Sequence, residues 1–527
     1  MIDDSQYVNL VTATSYWIKR KELTNSSYYN LRSKMSTLNF QENEVPIAFF
    51  EIQEPIPYVI IPRIDRNLLD HIIGRKLAFA HDYGNRLGDI KYNDIPLKPY
   101  PHQETIIRDI VKLFNDPARN DKRVMLALQP GLGKSFISAS VVHDMKQKFL
   151  FIVYSKKLVS QTCSVFMKYL GKDGMCILER SSDFDELNYK KIKGLFMSHS
   201  MLRSLIKQYS WEYVVDVLQR KIGITIKIMD EFDKEVGMLY KLECFSNFPY
   251  SLYLTGTAYK SLKPDDAVFQ TIYRKSTKLG ANVRVEPNKI GYIIDWKFTP
   301  TSKERFKMMM RDSKLFKTYY NDYLARKDIL LDYIMQKFYK PEDSLIKRMQ
   351  SEGGITLLYC GRIENCELVK QKLIDNFGVL ESDIGIFNSD VSDKNKLESE
   401  TKPFICTTCS SMGRGYDNDK IRVLIYLEFS FSISEAEQSY SRVGRLGGKE
   451  GHVIWGLDRS FFQVEMNHNK RLRLGLFEKH FKKIERFTIP ETYYQHYVYG
   501  YRPDSEDAKE IIKTKKNKKV KLSKRIF

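Results

Sequence analysis

Val124-Met125-Leu126-Ala127-Leu128-Gln129-Pro130-Gly131-Leu132-Gly133-Lys134-Ser135 decides how this chain folds. Val124–Leu128 is an apolar run bounded by turn residues, which predicts a buried strand. The glycines after it make a tight turn, and the turn opens a helix. Gly131 and Gly133 let the backbone approach an anion closely, and the first amides of the helix point at it. Lys134 supplies the counter-charge for β- and γ-phosphates, and Ser135 a hydroxyl for Mg²⁺. Gly131, Leu132, Gly133, Lys134 and Ser135 are therefore the expected cradle of ATP. The full pattern G-x-x-x-x-G-K-[ST] asks for glycine where this chain has Leu128, so on this segment alone a chance glycine turn stays open.

A second stretch narrows the choice. Ile224, Ile226 and Ile228 alternate up to Asp230-Glu231-Phe232-Asp233. Acidic residues at the carboxyl end of a buried strand face the ligand crevice of an open α/β sheet. Asp230 is placed to hold Mg²⁺ through water, and Glu231 to orient and deprotonate an attacking water. An acidic helix cap is the plainer reading, but it leaves unexplained why the pair follows a phosphate loop. Upstream, Leu97-Lys98-Pro99-Tyr100-Pro101-His102-Gln103 precedes a helix. Gln103 is placed to read an adenine edge with Tyr100 stacked nearby, although helix-capping residues look the same.

Two regions alternate apolar strands with amphipathic segments, the pattern of parallel sheets with helices on both faces. The first carries expected strands at Val124–Leu128, Leu150–Val153, Gly194–Met197, Ile224–Met229 and Ser251–Leu254. The second carries them at Ile355–Tyr359, Ile384–Phe387, Phe404–Thr407, Val423–Tyr426 and Val453–Trp455. The expected fold is α/β, two tandem parallel-sheet domains with five or more strands each. Residues 1–95, rich in aromatics and holding Pro55, Pro57 and Pro62, read as a small accessory domain. Residues 96–270 form the first sheet domain, 271–475 linker helices and the second, and 476–527 an extension. From Lys513 to Arg525 that extension carries eight basic residues and no acidic one, the composition of a solvated tail.

The bulk numbers set the class of partner. Lys and Arg number 85 against 65 Asp and Glu among 527 residues, a net charge of +20, which favours a polyanion or serves solubility alone. No apolar run approaches the roughly 18 residues that span a bilayer, and the acidic start Met1-Ile2-Asp3-Asp4 is not expected to be a signal peptide. Seven scattered cysteines suit a reducing compartment. Cys406 and Cys409 form a C-x-x-C without a second pair, which reads as small buried residues at a strand end.

The order of these segments resembles the superfamily 2 helicases. The Gln103 segment, Gly131–Ser135 and Asp230–Asp233 are followed by Leu254-Thr255-Gly256-Thr257-Ala258. Leu357-Leu358-Tyr359-Cys360 comes next, then Thr407-Thr408-Cys409-Ser410 through Gly415-Tyr416-Asp417, and finally Gln438-Ser439-Tyr440-Ser441-Arg442-Val443-Gly444-Arg445. The resemblance spans roughly residues 96 to 460 and implies two RecA-like domains that close on ATP. It implies that Thr255 and Thr257 couple nucleotide state to a nucleic-acid groove, and that Gly415 and Asp417 face the nucleotide. Gln438 would help position the water, and Arg442 and Arg445 would meet the γ-phosphate, with Arg445 as the finger. Surface phosphate clamping is the plainer role for the two arginines.

In this architecture a single strand is held mainly by its phosphates. The implied contacts are Ser155, Lys156, Lys157, Gln161 and Ser198 with His199 in the first domain, and Gly361, Arg362, Thr407, Thr408 and Arg414 in the second. Lys156 and Lys157 also suit a solvated turn, and His199 a packed loop. Tyr493, Tyr494, Tyr497, Tyr499 and Tyr501 suit a packed edge strand better than a stacking platform.

Three positions depart from the common pattern: Ser441 stands for glycine, Thr255-Gly256-Thr257 for Ser-Ala-Thr, and the acidic box ends in Asp233. These argue against the RNA-unwinding D-E-A-D enzymes. The length and the preface of 95 residues resemble the phage branch-migration (DNA-annealing) helicases and the poxvirus-type transcript-release helicases. Lys, Asn, Ile and Tyr usage suits an AT-rich viral genome. The expected activity is an ATP- and Mg²⁺-dependent remodeller of single-stranded, forked or branched DNA. Its rivals are a viral transcription-associated helicase that strips RNA from polymerase, and a non-catalytic nucleic-acid scaffold. RNA and viral transcription or replication proteins stand as further partners, and no membrane. The expected place is the cytoplasm, that of the host cell for a viral chain, or a virion.

Overall fold

The computed structural model describes residues 8–490, except 39–43, 54–55, 85–87, 94–97, 129–130, 155, 233–235, 257–262, 274–275, 282, 284–287, 298–328, 413–417, 419, 428–438, 441, 445–449 and 460–480. The chain divides into two compact units, residues 1–285 and 286–527.

The first unit begins with short, mostly antiparallel strands: β1 (Leu10–Val11), β2 (Ser15–Lys19), β3 (Ser36–Leu38), β4 (Glu44–Pro46), β5 (Phe50–Ile52), β6 (Tyr58–Pro62) and β7 (Ala80–His81). Five of them form one sheet in the order β5-β6-β2-β1-β7, and β3 pairs with β4 in a separate ribbon. Two helices, Asn25–Lys34 and Arg66–Ile73, accompany the sheet. Each is started by a side chain that accepts an amide the helix cannot use, Thr24 from Ser27 and Asp65 from Leu68.

The same unit continues with β8 (Arg123–Ala127), β9 (Phe149–Val153), β10 (Met175–Ile177), β11 (Gly194–Ser198), β12 (Ile226–Asp230), β13 (Tyr250–Thr255) and β14 (Thr277–Leu279). They make a seven-stranded sheet in the order β10-β11-β9-β12-β13-β8-β14, with every pairing parallel. A parallel strand covered on both faces has no polar side to show, and every residue of β8, β9, β11 and β13 is buried. The small N-terminal sheet is not separated from this one. Val59 and Ile61 of β6 share one core with Leu239, Tyr240 and Leu242 of the helix Val236–Phe245, and with Met229 and Tyr253 of the parallel sheet.

The second unit holds β15 (Lys289–Trp296), β16 (Ile355–Tyr359), β17 (Ile384–Phe387), β18 (Phe404–Thr407), β19 (Ile421–Tyr426), β20 (Gly451–Asp458) and β21 (Lys483–Thr488). Their order is β17-β18-β16-β19-β20-β15-β21, again all parallel. The protein thus has two tandem RecA-like sheets, each with seven strands.

Each sheet is larger than the strands read from sequence. Met175–Ile177 and Thr277–Leu279 have three residues each, too short for periodicity to register. Lys289–Trp296 lies inside a charged, aromatic stretch read as linker and helices, yet it forms the long strand beside β20. Lys483–Thr488 lies in the stretch read as an extension, yet it pairs with β15 as the edge of the second sheet. Its residues alternate between exposed and half-buried, which hides it from a search for apolar runs. The tyrosines at 493–501 and the basic run after Lys513 fall outside the described residues.

Candidate functional site

Strand register brings the phosphate loop and the acidic pair to one end of the first sheet. Asp230 pairs with Leu254, and Leu254 with Leu126. The loop after β8 and the residue after β12 therefore leave the sheet at the same carboxyl edge, where open α/β sheets bind ligands. Thr255 ends the strand between them and is wholly buried.

The loop itself is shaped for an anion. Gly131 and Gly133 have φ of 86° and 84°, a left-handed backbone that other residues adopt at a cost. A Cβ on Gly133 would come within 2.3 Å of Gln103 Nε2. The helix Lys134–Met145 starts directly at the lysine. Lys134 Nζ donates to the Leu128 carbonyl at 3.0 Å, which holds the ammonium over the loop. Leu128 itself shows why the consensus glycine is dispensable. Its amide donates to the Thr255 carbonyl at 3.1 Å, and its side chain is core, packed where Gly280 leaves room.

Gln103 is tied into the loop rather than left pointing at open space. Its Nε2 donates to the Leu132 carbonyl at 3.1 Å, and its Oε1 accepts from the Tyr100 amide at 3.0 Å. Tyr100 is 60% exposed and stacks on His102 with ring centroids 6.0 Å apart. The tie between Gln103 and Leu132 is what the sequence could not disclose, because it depends on two segments meeting.

At the acidic pair, Asp230 Oδ1 accepts from the Glu231 amide at 3.0 Å. Glu231 has φ of 46°, one of two non-glycine residues with positive φ among those described. Such strain persists only where the surroundings hold it, and it concentrates at functional sites. Glu231 Oε2 is buried, and no donor reaches it among the described residues. A buried carboxylate oxygen calls for a hydrogen-bond donor, and a water beside a bound nucleotide is one. The left-handed glycines, the lysine at the helix start and this unsatisfied carboxylate together fit a nucleoside triphosphate. Ser135 and Asp230 are the groups available to a cation that comes with it.

The expected nucleic-acid residues divide. Lys156 begins the helix Lys156–Leu170, and both it and Gln161 are exposed. His199 is 2% exposed and lies 6.2 Å from the Tyr154 ring, so it is packed in the sheet edge. The neighbouring Ser198 Oγ accepts from the Met201 amide at 3.1 Å as a helix cap. In the second unit Gly361 has φ of 81° and Arg362 precedes the helix Ile363–Phe377. Thr407 and Thr408 are buried. The Thr407 hydroxyl donates to the Phe387 carbonyl, and Thr408 Oγ1 accepts from the Ser411 amide at 3.3 Å. Arg442 is 7% exposed in the turn after Tyr440. Ser155, Arg414, Gly415, Asp417, Gln438 and Arg445, and the side chain of Lys157, lie outside the described residues.

Cys406 and Cys409 are buried at the end of β18 and the start of the next helix. No cluster of three or more His, Cys, Asp or Glu suited to a metal occurs among the described residues. Nor is any described helix long and apolar enough to cross a membrane.

Residues 96–259 match the family described as type III restriction enzyme, res subunit. That span holds Gln103, the phosphate loop, the acidic pair and Thr255. No curated protein matches the chain. Among solved structures, Mss116p bound to ssRNA and AMP-PNP is 13% identical, with TM-score 0.49, over 77% of this chain and 78% of that one. Dbp5 of S. cerevisiae, bound to RNA and ADP BeF3, is 15% identical, with TM-score 0.47, over 75% and 90%. A fragment of a putative HsdR subunit of a type I restriction enzyme from Vibrio vulnificus YJ016 is 14% identical, with TM-score 0.49, over 76% and 69%.

Proposed function

We propose that this chain is a nucleic-acid-stimulated ATPase that translocates on, unwinds or remodels duplex or branched DNA. The observation that carries this reading is the register that sets Asp230 level with Leu254 and Leu126, so that a phosphate loop and a strand-end Asp-Glu share one edge. Lys134 neutralises the phosphates, Ser135 and Asp230 hold Mg²⁺, and Glu231 takes the proton of the attacking water. Gly415, Asp417, Gln438, Arg442 and Arg445 complete the chemistry, with Arg445 meeting the transition-state charge. The net charge of +20 supports a polyanionic partner, engaged through Lys156, Gln161, Arg362 and Arg414. A viral origin, a cytoplasmic place and partners in transcription or replication belong to the same reading.

The test is ATP turnover on single-stranded DNA, forked DNA, a four-way junction and RNA of matched length. Strongest stimulation by forked or four-way DNA supports a remodeller. Stimulation by RNA alone would move the reading to transcript release, and no turnover on any of them would leave a binding scaffold.

A further inference from the structure

The helix that follows the acidic pair is held from behind by the N-terminal sheet. Val236–Phe245 starts a few residues past Glu231 and packs against β6 and β2. Its last carbonyls have no partner within the helix, and residues far upstream supply them. Thr14, wholly buried, donates from Oγ1 to the Glu243 carbonyl at 2.7 Å and to the Ser246 carbonyl at 2.9 Å. Ser15 Oγ donates to the Cys244 carbonyl at 3.2 Å. The Ala13 amide donates to Asn247 Oδ1 at 2.9 Å. Trp17 and Phe50 close on the Phe245 ring, with centroids 6.3 and 5.8 Å away.

The helix is also pinned from the front. Glu243 pairs with Lys227 of β12, and the Tyr253 hydroxyl donates to the same carboxylate at 2.8 Å. Glu243 thus ties the helix to β12 and β13, the strands that end at Asp230 and Thr255. The left-handed backbone of Glu231 is a strained state that persists only where its surroundings hold it.

We propose that Thr14 is a positioning residue for Glu231: the N-terminal sheet clamps the acidic-pair helix and so sets the geometry of ATP hydrolysis. This rests on the ATPase reading above. It also gives the N-terminal sheet a role in the chemistry without contact with nucleotide. A shift of the base by a fraction of an ångström weakens catalysis without weakening phosphate binding, because the phosphates are held by the separate loop at Gly131–Ser135.

The experiment compares the wild-type chain with Thr14→Val, Thr14→Ser and Ser15→Ala in two measurements. In steady-state ATP turnover, Thr14→Val lowers kcat about tenfold and leaves KM within roughly twofold. Thr14→Ser restores kcat, and Ser15→Ala gives a smaller drop. In amide hydrogen exchange, Thr14→Val speeds exchange at the end of Val236–Phe245 and leaves Lys134–Met145 at the wild-type rate. An unchanged kcat, a rise in KM matching the fall in kcat, or failure of serine to rescue would overturn the proposal. If Thr14→Val does not fold, Ser15→Ala decides by the same criteria. A wild-type chain without turnover would sink the ATPase reading instead, and the exchange measurement alone would then decide whether the clamp holds the helix.

Discussion

Lys227 and Glu243 form an ion pair in which neither side chain is exposed. The ammonium also lies 5.7 Å from the ring centroids of both Phe248 and Tyr253. Burial pushes the Lys227 ammonium below its usual range even though Glu243 opposes the shift. Removing one partner leaves the other charge buried and alone, which costs ~3–5 kcal/mol. Glu243→Ala should therefore lose that much stability in urea unfolding, while the double change Lys227→Met with Glu243→Leu recovers most of it. A loss below about 1 kcal/mol for the single variant would mean that water reaches the site.

Lys134→Ala should abolish ATP turnover and weaken nucleotide binding, since it deletes the counter-charge at the start of the helix Lys134–Met145. Stability should barely change, because the ammonium donates to the Leu128 carbonyl in the loop and the helix keeps its start without it. Fluorescent-nucleotide titration and thermal unfolding check the two halves separately. Retained binding with lost stability would assign Lys134 a structural task.

Asp295 gives the second unit an acid-sensitive seam. Arg486 of the edge strand β21 donates to its carboxylate at 2.9 Å, and Arg459 does so at 2.9 Å. Burial pushes the carboxyl up, but the hydrogen bonds and charges of the two arginines outweigh it and hold it below the ordinary value of 3.8. A carboxyl whose folded pKa is depressed contributes stability above its unfolded pKa and loses it as pH falls through the folded one. Asp295→Asn should thus be less stable than wild type at neutral pH, with the gap closing as pH drops below 3.8. A gap independent of pH would show that shape, not charge, holds β21.

Much of this was legible in the sequence, for physical reasons. Leu150–Val153 and Ile355–Tyr359 announce themselves because a strand buried on both faces must be apolar throughout. Gly131–Ser135 and Asp230–Glu231 are legible because phosphate and water chemistry demand those residue types. The missing strands are the ones whose neighbours lie far away in the chain. Lys289–Trp296 gains its meaning only beside Gly451–Asp458, and Lys483–Thr488 only through Arg486 and Asp295. Residues 8–81 gave no pattern because several of their strands have two or three residues. Gln103 was found, but its bond to Leu132 was not, since that bond exists only once the fold has formed.

Deleting residues 513–527 should weaken DNA binding uniformly across sequences and make the salt dependence shallower. The segment from Lys513 to Arg525 carries eight basic residues. On single strands each phosphate contact contributes about −0.7 to the slope of log affinity against log salt. Turnover at saturating DNA should stay near wild type. An unaltered slope would make the tail a bystander or a protein-docking segment.

The most direct measurement is on Glu231→Gln: ATP affinity and DNA-stimulated turnover, measured on the same preparation. The expected result is wild-type affinity with turnover reduced at least about a hundredfold, because the amide fills the same space and cannot take the proton of water. Turnover equal to wild type would contradict the assignment of Glu231 as the base, and with it the reading of this edge of the sheet as the hydrolytic site.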